Sequence, residues 1–307
     1  MLQDATAGDP ITGIRWTRKT LRALQRALRR AGFTVGFVTI GRLLRELHYA
    51  IRVNRKRLTR EQHPERDHQM RYLVGVRRRF VRAGKPVISI DTKKRELIGN
   101  FKQGGGTWRR AALPVLEYDY PSHADGVAIP FGIYDLATNE GLMVIGLSHQ
   151  TPEFAVAAIR RWWKRVGRVT YAGQQDLLIE ADCGNPNSHR SWRWKFALQQ
   201  LADECGLRIM VTHVPPGASK WNPVEHRLFS PISGNWAGQP LVSYETILKF
   251  IRTTKTVTGL RCRAYLDKTN YQTGWQLTAA QQALIHLFPC RVLPKWNYII
   301  KPRDAVL

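Results

Sequence analysis

Two short apolar runs, each ending on an aspartate, constrain this chain more than any other feature. Val87-Ile-Ser-Ile-Asp91 and Asp176-Leu-Leu-Ile-Glu-Ala-Asp182 have the length of buried strands and carry a carboxylate at their C-terminal ends. Around them, the residues after Lys85 alternate between strand and helix patterns. Gly126 to Asp135 and Gly141 to Leu147 flank Ala137-Thr-Asn-Glu-Gly141, which predicts a hairpin. Thr151-Pro152 opens a helix to about Val166, and Ser188 to Cys205 reads as a helix stopped by Gly206. Arg208-Ile-Met-Val-Thr-His-Val214 is a further strand, Asn222-Pro223 opens a helix bearing Glu225, and Ser243 to Thr254 is another helix. This order predicts an α/β domain with mixed pairing in a five-stranded sheet flanked by helices. The irregular, Trp-containing segments that follow are assigned to no element.

Strand C-termini are where open α/β sheets place ligands, and a carboxylate there is costly unless hydrogen-bonded, paired or metal-bound. Asp91, Asp182 and Glu225 form a donor set for hard divalent cations, Mg2+ with Mn2+ as the alternative, because such ions prefer oxygen ligands. Two ions roughly 3.5–4 Å apart activate a water or 3′-hydroxyl and stabilise the leaving oxygen of a phosphoryl transfer. Read singly, each residue also has a structural explanation: Asp91 and Asp182 in turns, Glu225 in a capping box with Asn222.

Charge narrows the partner. The chain carries 48 Lys and Arg against 23 Asp and Glu, a net +25, and its first 85 residues hold 21 against 6. Such density serves a polyanion, since each neutralised phosphate releases condensed counterions. Within the basic quarter, Thr17 reads as the N-cap of a helix to about Arg30, with Leu21, Leu24 and Leu28 on one face and Gly32 beyond its end. A second helix at about 37–47 places Ile40, Leu43, Leu44 and Leu47 on one stripe and Thr39, Arg42 and Arg45 opposite. That arrangement predicts a helix-turn-helix domain over residues 1–62, with Thr39, Arg42 and Arg45 facing the major groove of double-stranded DNA. A basic wing from Tyr49 to Leu58 follows, its Arg52, Arg55, Lys56 and Arg57 suited to backbone phosphates. A helix from about Pro64 to Ala83 reads as a linker (63–84), leaving 85–307 as the second domain with a C-terminal extension.

Other features weigh less. Trp108-Arg109-Arg110 follows Gly104-Gly-Gly106 and suits DNA contact, whereas the glycines lack the Lys-Ser/Thr of a phosphate-binding P-loop. Lys220, His213 and Asn185 flank the carboxylates, His226 points about 100° away from Glu225 around its helix, and Trp162 and Trp163 suit packing. No stretch approaches the roughly 18 apolar residues of a membrane span. Met1 to Pro10 lacks the charge and apolar run of a signal peptide, and the four cysteines form no C-x-x-C pair. The expectation is a reduced, cytoplasmic, nucleoid-associated protein with no membrane partner.

Val87-Ile-Ser-Ile-Asp91-Thr-Lys-Lys-Arg-Glu-Leu-Ile-Gly-Asn-Phe101, Ile133-Tyr-Asp135, Arg160-Arg-Trp-Trp163 and Ser219-Lys-Trp-Asn-Pro-Val-Glu225-His-Arg-Leu-Phe-Ser230 resemble the Rhodopirellula-type DDE transposases of bacterial insertion sequences. The resemblance runs from about Arg15 to Ile300, and the Asn-Pro-x-Glu signature is similar to that of the wider mariner-like superfamily. It implies a ribonuclease H-like domain behind the helix-turn-helix, with Asp91, Asp182 and Glu225 as the catalytic triad holding two divalent ions. It also implies binding to terminal inverted repeats, strand cleavage and transfer into target DNA, and a homo-oligomer on DNA. Two departures stand out. Cys183-Gly-Asn-Pro-Asn-Ser188 holds one glycine where the family tends to a Gly-rich loop, and the family carries more sequence ahead of the helix-turn-helix, which points to a shortened copy. The rival readings are a catalytically inactive, transposase-derived DNA-binding protein and a metal-dependent nuclease unrelated to transposition.

Overall fold

The computed structural model describes residues 6–8, 15–17, 20–47, 49, 63–218 and 221–303. The chain divides into two compact units, Met1–Leu58 and Thr59–Leu307.

In the first unit, β1 (Thr6–Gly8) pairs antiparallel with β2 (Arg15–Thr17). Thr17, expected to cap the first helix, is therefore the last residue of a strand. The cap is Thr20, whose hydroxyl accepts the Ala23 N–H at 3.2 Å and starts α1 (Leu21–Arg30). Gly32, at φ 84°, turns the chain toward α2 (Phe37–Glu46). The apolar stripe of α2 is buried at Ile40 only; Leu44 is half-buried, and Leu43 and Leu47 are 41% and 60% exposed. Two helices of ten residues offer each other little area, and here they bury Leu24 and Ile40 beside an open apolar groove. Arg42 and Arg45 are exposed, whereas Thr39 is half-buried. The expected wing with Arg52, Arg55, Lys56 and Arg57 lies outside the described residues.

The second unit begins with the helix expected as a linker. This helix, α3 (Arg66–Arg82), packs Leu73 against Val214 and Ala218, and Val76 against Val87 and Leu178. There follow β3 (Val87–Thr92), β4 (Glu96–Ile98), β5 (Gly126–Asp135), β6 (Glu140–Gly146), α4 (Pro152–Trp162), a one-turn α5 (Arg168–Thr170), β7 (Asp176–Ala181), α6 (Trp192–Cys205) and β8 (Arg208–His213). A wide π-helical turn, Glu225–Phe229, runs into α7 (Ser230–Asn235), followed by α8 (Tyr244–Thr253), β9 (Arg261–Asp267), α9 (Ala279–Ala283), β10 (Leu287–Pro289) and β11 (Asn297–Ile300). Side-chain caps open α4 and α6: Thr151 accepts the Phe154 N–H, and Ser191, not Ser188, accepts the Trp194 N–H.

The sheet has nine strands in the order β10-β11-β8-β7-β3-β5-β6-β9, with β4 also on β5. Its centre, β6-β5-β3-β7-β8, is the ribonuclease H-like mixed sheet: β3, β7 and β8 run parallel, and β5 is antiparallel to β3 and β6. The count of five is corrected mainly by the tail, which adds β9 parallel to β6 and lays β11 and β10 along β8. Ile88, Ile90, Leu177 and Ile179 face α4 and α6 across one core, which includes Trp162, Trp163 and Trp194. The other face takes Val87 and Leu178 under α3, and Tyr134, Met143 and Ile145 under Val224, Leu228, Phe229 and α8. No helix among the described residues is long and apolar enough to cross a membrane.

Candidate active site

The register of β3 on β7 pairs Ile90 with Ala181, the last residue of β7, so Asp91 and Asp182 are the next residues at the C-terminal ends of two adjacent parallel strands. Strands lie about 4.8 Å apart and side chains alternate faces, so the two carboxylates project from one face as neighbours. Asp91 is 8% exposed. Its Oδ1 accepts the Thr92 N–H at 2.7 Å and its Oδ2 accepts from Asn222 Nδ2 at 3.2 Å. Asp182 accepts from Asn187 Nδ2 at 2.6 Å and from the Gly184 N–H. The single glycine of the Cys183–Ser188 loop stands where it is needed: a Cβ there would lie 2.6 Å from Asp182 Oδ2. Behind this loop, His213 Nδ1 meets the Asp182 carbonyl at 2.8 Å, and its Nε2 meets Tyr298 Oη at 3.0 Å. Trp194 Nε1 donates to the same phenol at 2.9 Å. Burial drives the His213 pKa down to about 3, so the ring is a neutral brace.

Glu225 follows Asn222 by three residues, but no capping box forms. The Asn222 side chain turns to β3: Ser89 Oγ donates to its Oδ1 at 2.5 Å, and its Nδ2 donates to Asp91 and, at 3.4 Å, to the Ile90 carbonyl. The Glu225 N–H bonds the Asn222 backbone carbonyl instead, at 3.2 Å. The wide turn that begins at Glu225 buries the adjacent Leu228 and Phe229. Each fills space left by a glycine of the sheet, since a Cβ on Gly141 would collide with Leu228 and one on Gly132 with Phe229.

The charges of the three carboxylates act on one another. Burial, then the Asp182 charge and further the Glu225 charge, push Asp91 up to about 8 against the opposing bonds from Thr92 and Asn222. Burial also raises Asp182, opposed by Gly184 and Asn187. Burial raises Glu225 and Asp182 adds to it, while His226 and Lys93 pull it back. No Lys or Arg among the described residues forms an ion pair with any of the three.

Nor do any three His, Cys, Asp or Glu side chains among the described residues gather closely enough to enclose one ion. Like charges without a counter-ion repel, which opposes closure on a common point. The donor chemistry nevertheless fits a hard cation that keeps some of its waters: the ligands are all oxygens, and Asn187 Oδ1, beside Asp182, is buried with no hydrogen-bond partner.

Arg109 and Arg110 are exposed on the excursion between β4 and β5 with the fully exposed Trp108, and Arg109 Nε donates to Thr107 Oγ1 at 2.9 Å. The described contacts do not bring them to the carboxylates. Asn185 is exposed, its carbonyl accepting from Gln150 Nε2, and Lys220 lies outside the described residues. Sequence reasoning passed over Ser89 and Asn187. For Ser89 there was a signal: it is the one polar residue in Val87–Ile90, two positions before Asp91 and hence on the same strand face.

No curated protein matches this sequence. Among solved structures, it is similar to a Mos1 transposase paired-end complex with the left transposon end, at 15% identity over 76% of this chain, with a TM-score of 0.45. The mariner Mos1 paired-end complex with Mg matches at 16% identity over 80% of this chain and 73% of that one, with a TM-score of 0.42. The chain spans 65% of the length of the first of these structures. The family model described as the Rhodopirellula transposase DDE domain matches residues 1–302, and the chain belongs to that family.

Proposed function

We propose that this chain cuts DNA at the terminal inverted repeats of its own element and joins the freed ends to target DNA. In this reading Asp91, Asp182 and Glu225 are the catalytic residues and hold two Mg2+ ions, which Mn2+ can replace. The observation that carries it is the pair Asp91 and Asp182, side by side on parallel strands with no Lys or Arg partner among the described residues. Bound divalent ions would supply charge neutralisation at the scissile phosphate and a more acidic water or 3′-hydroxyl. The protein's own part is to keep Asp91 aimed through Thr92 and Asn222 and to fold the Asp182 loop back through Gly184 and Asn187.

The basic N-terminal unit supplies the address. Arg42 and Arg45, with Thr39, read base edges in the major groove, while Arg52, Arg55, Lys56 and Arg57 hold phosphates. Arg109, Arg110 and Lys220 add phosphate contacts, and the chain acts as a homo-oligomer on DNA in the cytoplasm.

The test is cleavage of terminal-repeat DNA by the full chain in Mg2+, in Mn2+ and in EDTA. Activity is expected with either metal, none in EDTA, and none above background for Asp91→Asn or Asp182→Asn with DNA binding retained. Full cleavage by either variant would refute the assignment.

A further inference from the structure

The helix that carries Glu225 has an unusual beginning. Pro223 has no N–H, and the next one, of Val224, points to no side chain of its own segment. It donates instead to Ser89 Oγ on β3 at 3.1 Å, 135 residues away in sequence. Ser89 thus does for this helix what an adjacent Ser or Thr does for α4 and α6. The same hydroxyl donates its proton to Asn222 Oδ1, which leaves Asn222 Nδ2 facing only acceptors, the Ile90 carbonyl and Asp91 Oδ2. Ser89 and Asn222 are both fully buried, so no water competes for these bonds.

We propose that Ser89 and Asn222 are positioning residues: they tie the aim of the Asp91 carboxylate to the placement of Glu225 and so set the affinity of the site for a divalent cation that neither touches. The geometry leaves little freedom. Thr92 N–H holds one Asp91 oxygen and Asn222 the other, which fixes the carboxylate plane and leaves outer lone pairs for an ion. Glu225 is the residue after Val224, so the hydroxyl that orients Asn222 also anchors the turn bearing the third carboxylate. Loss of one oxygen atom at residue 89 would release both ends. Outer partners of metal ligands typically change metal affinity by about 10- to 100-fold.

This inference rests on the metal-binding reading of Asp91, Asp182 and Glu225, and its test separates the two. Mn2+ alone is titrated into the DNA-free full chain and free Mn2+ is followed by its paramagnetic resonance signal, with melting temperature in EDTA recorded for each variant. Ser89→Ala and Asn222→Ala are expected to weaken Mn2+ binding at least tenfold while the protein still melts cooperatively. Ser89→Cys keeps the side-chain shape with a larger atom and a weaker donor, and is expected to fall between Ser89→Ala and wild type. Should Ser89→Ala fail to fold, Ser89→Cys decides. Affinity within twofold of wild type in a folded Ser89 variant overturns the proposal. If Asp91→Asn abolishes Mn2+ binding in that case, the metal-binding reading stands without it; if Asp91→Asn binds Mn2+ normally, both fall.

Discussion

Glu180 lies on β7 and Asp182 just past its end, two residues further on and toward the same side of the sheet, yet their surroundings differ in one decisive respect. Glu180 is fully buried and takes both donors of Arg77, Nε at 2.7 Å and Nη2 at 2.6 Å, from α3. Asp182 and its neighbour Asp91 receive only neutral N–H donors. A buried carboxylate with a guanidinium has its counter-charge within the folded chain, although burial still raises the Glu180 pKa against the pull of Arg77. Two adjacent carboxylates without one hold a proton or draw a cation from outside. The difference separates a carboxylate that holds α3 to the sheet from a pair available to a ligand, although Glu180 and Asp182 are only two residues apart.

The largest effect should come from breaking the paired side. Arg77→Met leaves the Glu180 carboxyl in the interior without its guanidinium, and should lower unfolding free energy by about 3–5 kcal/mol in urea titrations. Adding Glu180→Leu should recover most of that loss; if it does not, the pair is more than mutual compensation.

On the unpaired side the sign reverses. Asp91 holds its proton up to about pH 8, far above the ordinary 3.8. Folding therefore favours the protonated carboxyl; this contribution is complete below pH 3.8 and is lost as pH rises toward 8. In EDTA the wild-type melting temperature should fall between pH 5 and 8, and Asp91→Asn should melt a few degrees higher than wild type at pH 8. Saturating Mn2+ should reverse that order. A mutant that melts lower in EDTA at pH 8 would mean that Asp91 is already compensated.

The smallest effect marks the limit of the comparison. Arg42 and Glu46 approach at 3.8 Å on α2 with 69% and 58% of their side chains exposed. Water screens such a pair, so Glu46→Gln should move stability by less than about 0.5 kcal/mol, and raising salt should shrink even that.

Asp91 and Asp182 stood out in the sequence because each ends an apolar run, where a carboxylate needs a partner, although each taken singly also reads as a turn residue. The central strands and their mixed pairing followed from the alternation of periods. The outer strands did not. Arg261-Cys-Arg-Ala-Tyr-Leu-Asp267 alternates apolar and polar residues, a strand signal that the sequence reading passed over, and its parallel pairing to β6 makes it part of the sheet. The displaced cap, Thr20 for Thr17, reflects two equivalent residues one turn apart, with a strand pairing deciding between them. Arg77 with Glu180 and Ser89 with Val224 are 103 and 135 residues apart in the chain. Such pairs emerge only when the register of β3 on β7 and the path of the helix are known.

Leu228 and Phe229 lie over Gly141 and Gly132 with no room for a methyl group between side chain and strand. The location of Glu225 therefore depends on two residues that contribute no functional group at all. A glycine codon becomes an alanine codon by a single base change, and either change here would dislodge the turn while sparing every acidic residue. In a mobile element accumulating such changes, an intact set of three carboxylates would not distinguish a working gene from a silent one; the codons at 132 and 141 would have to be read as well.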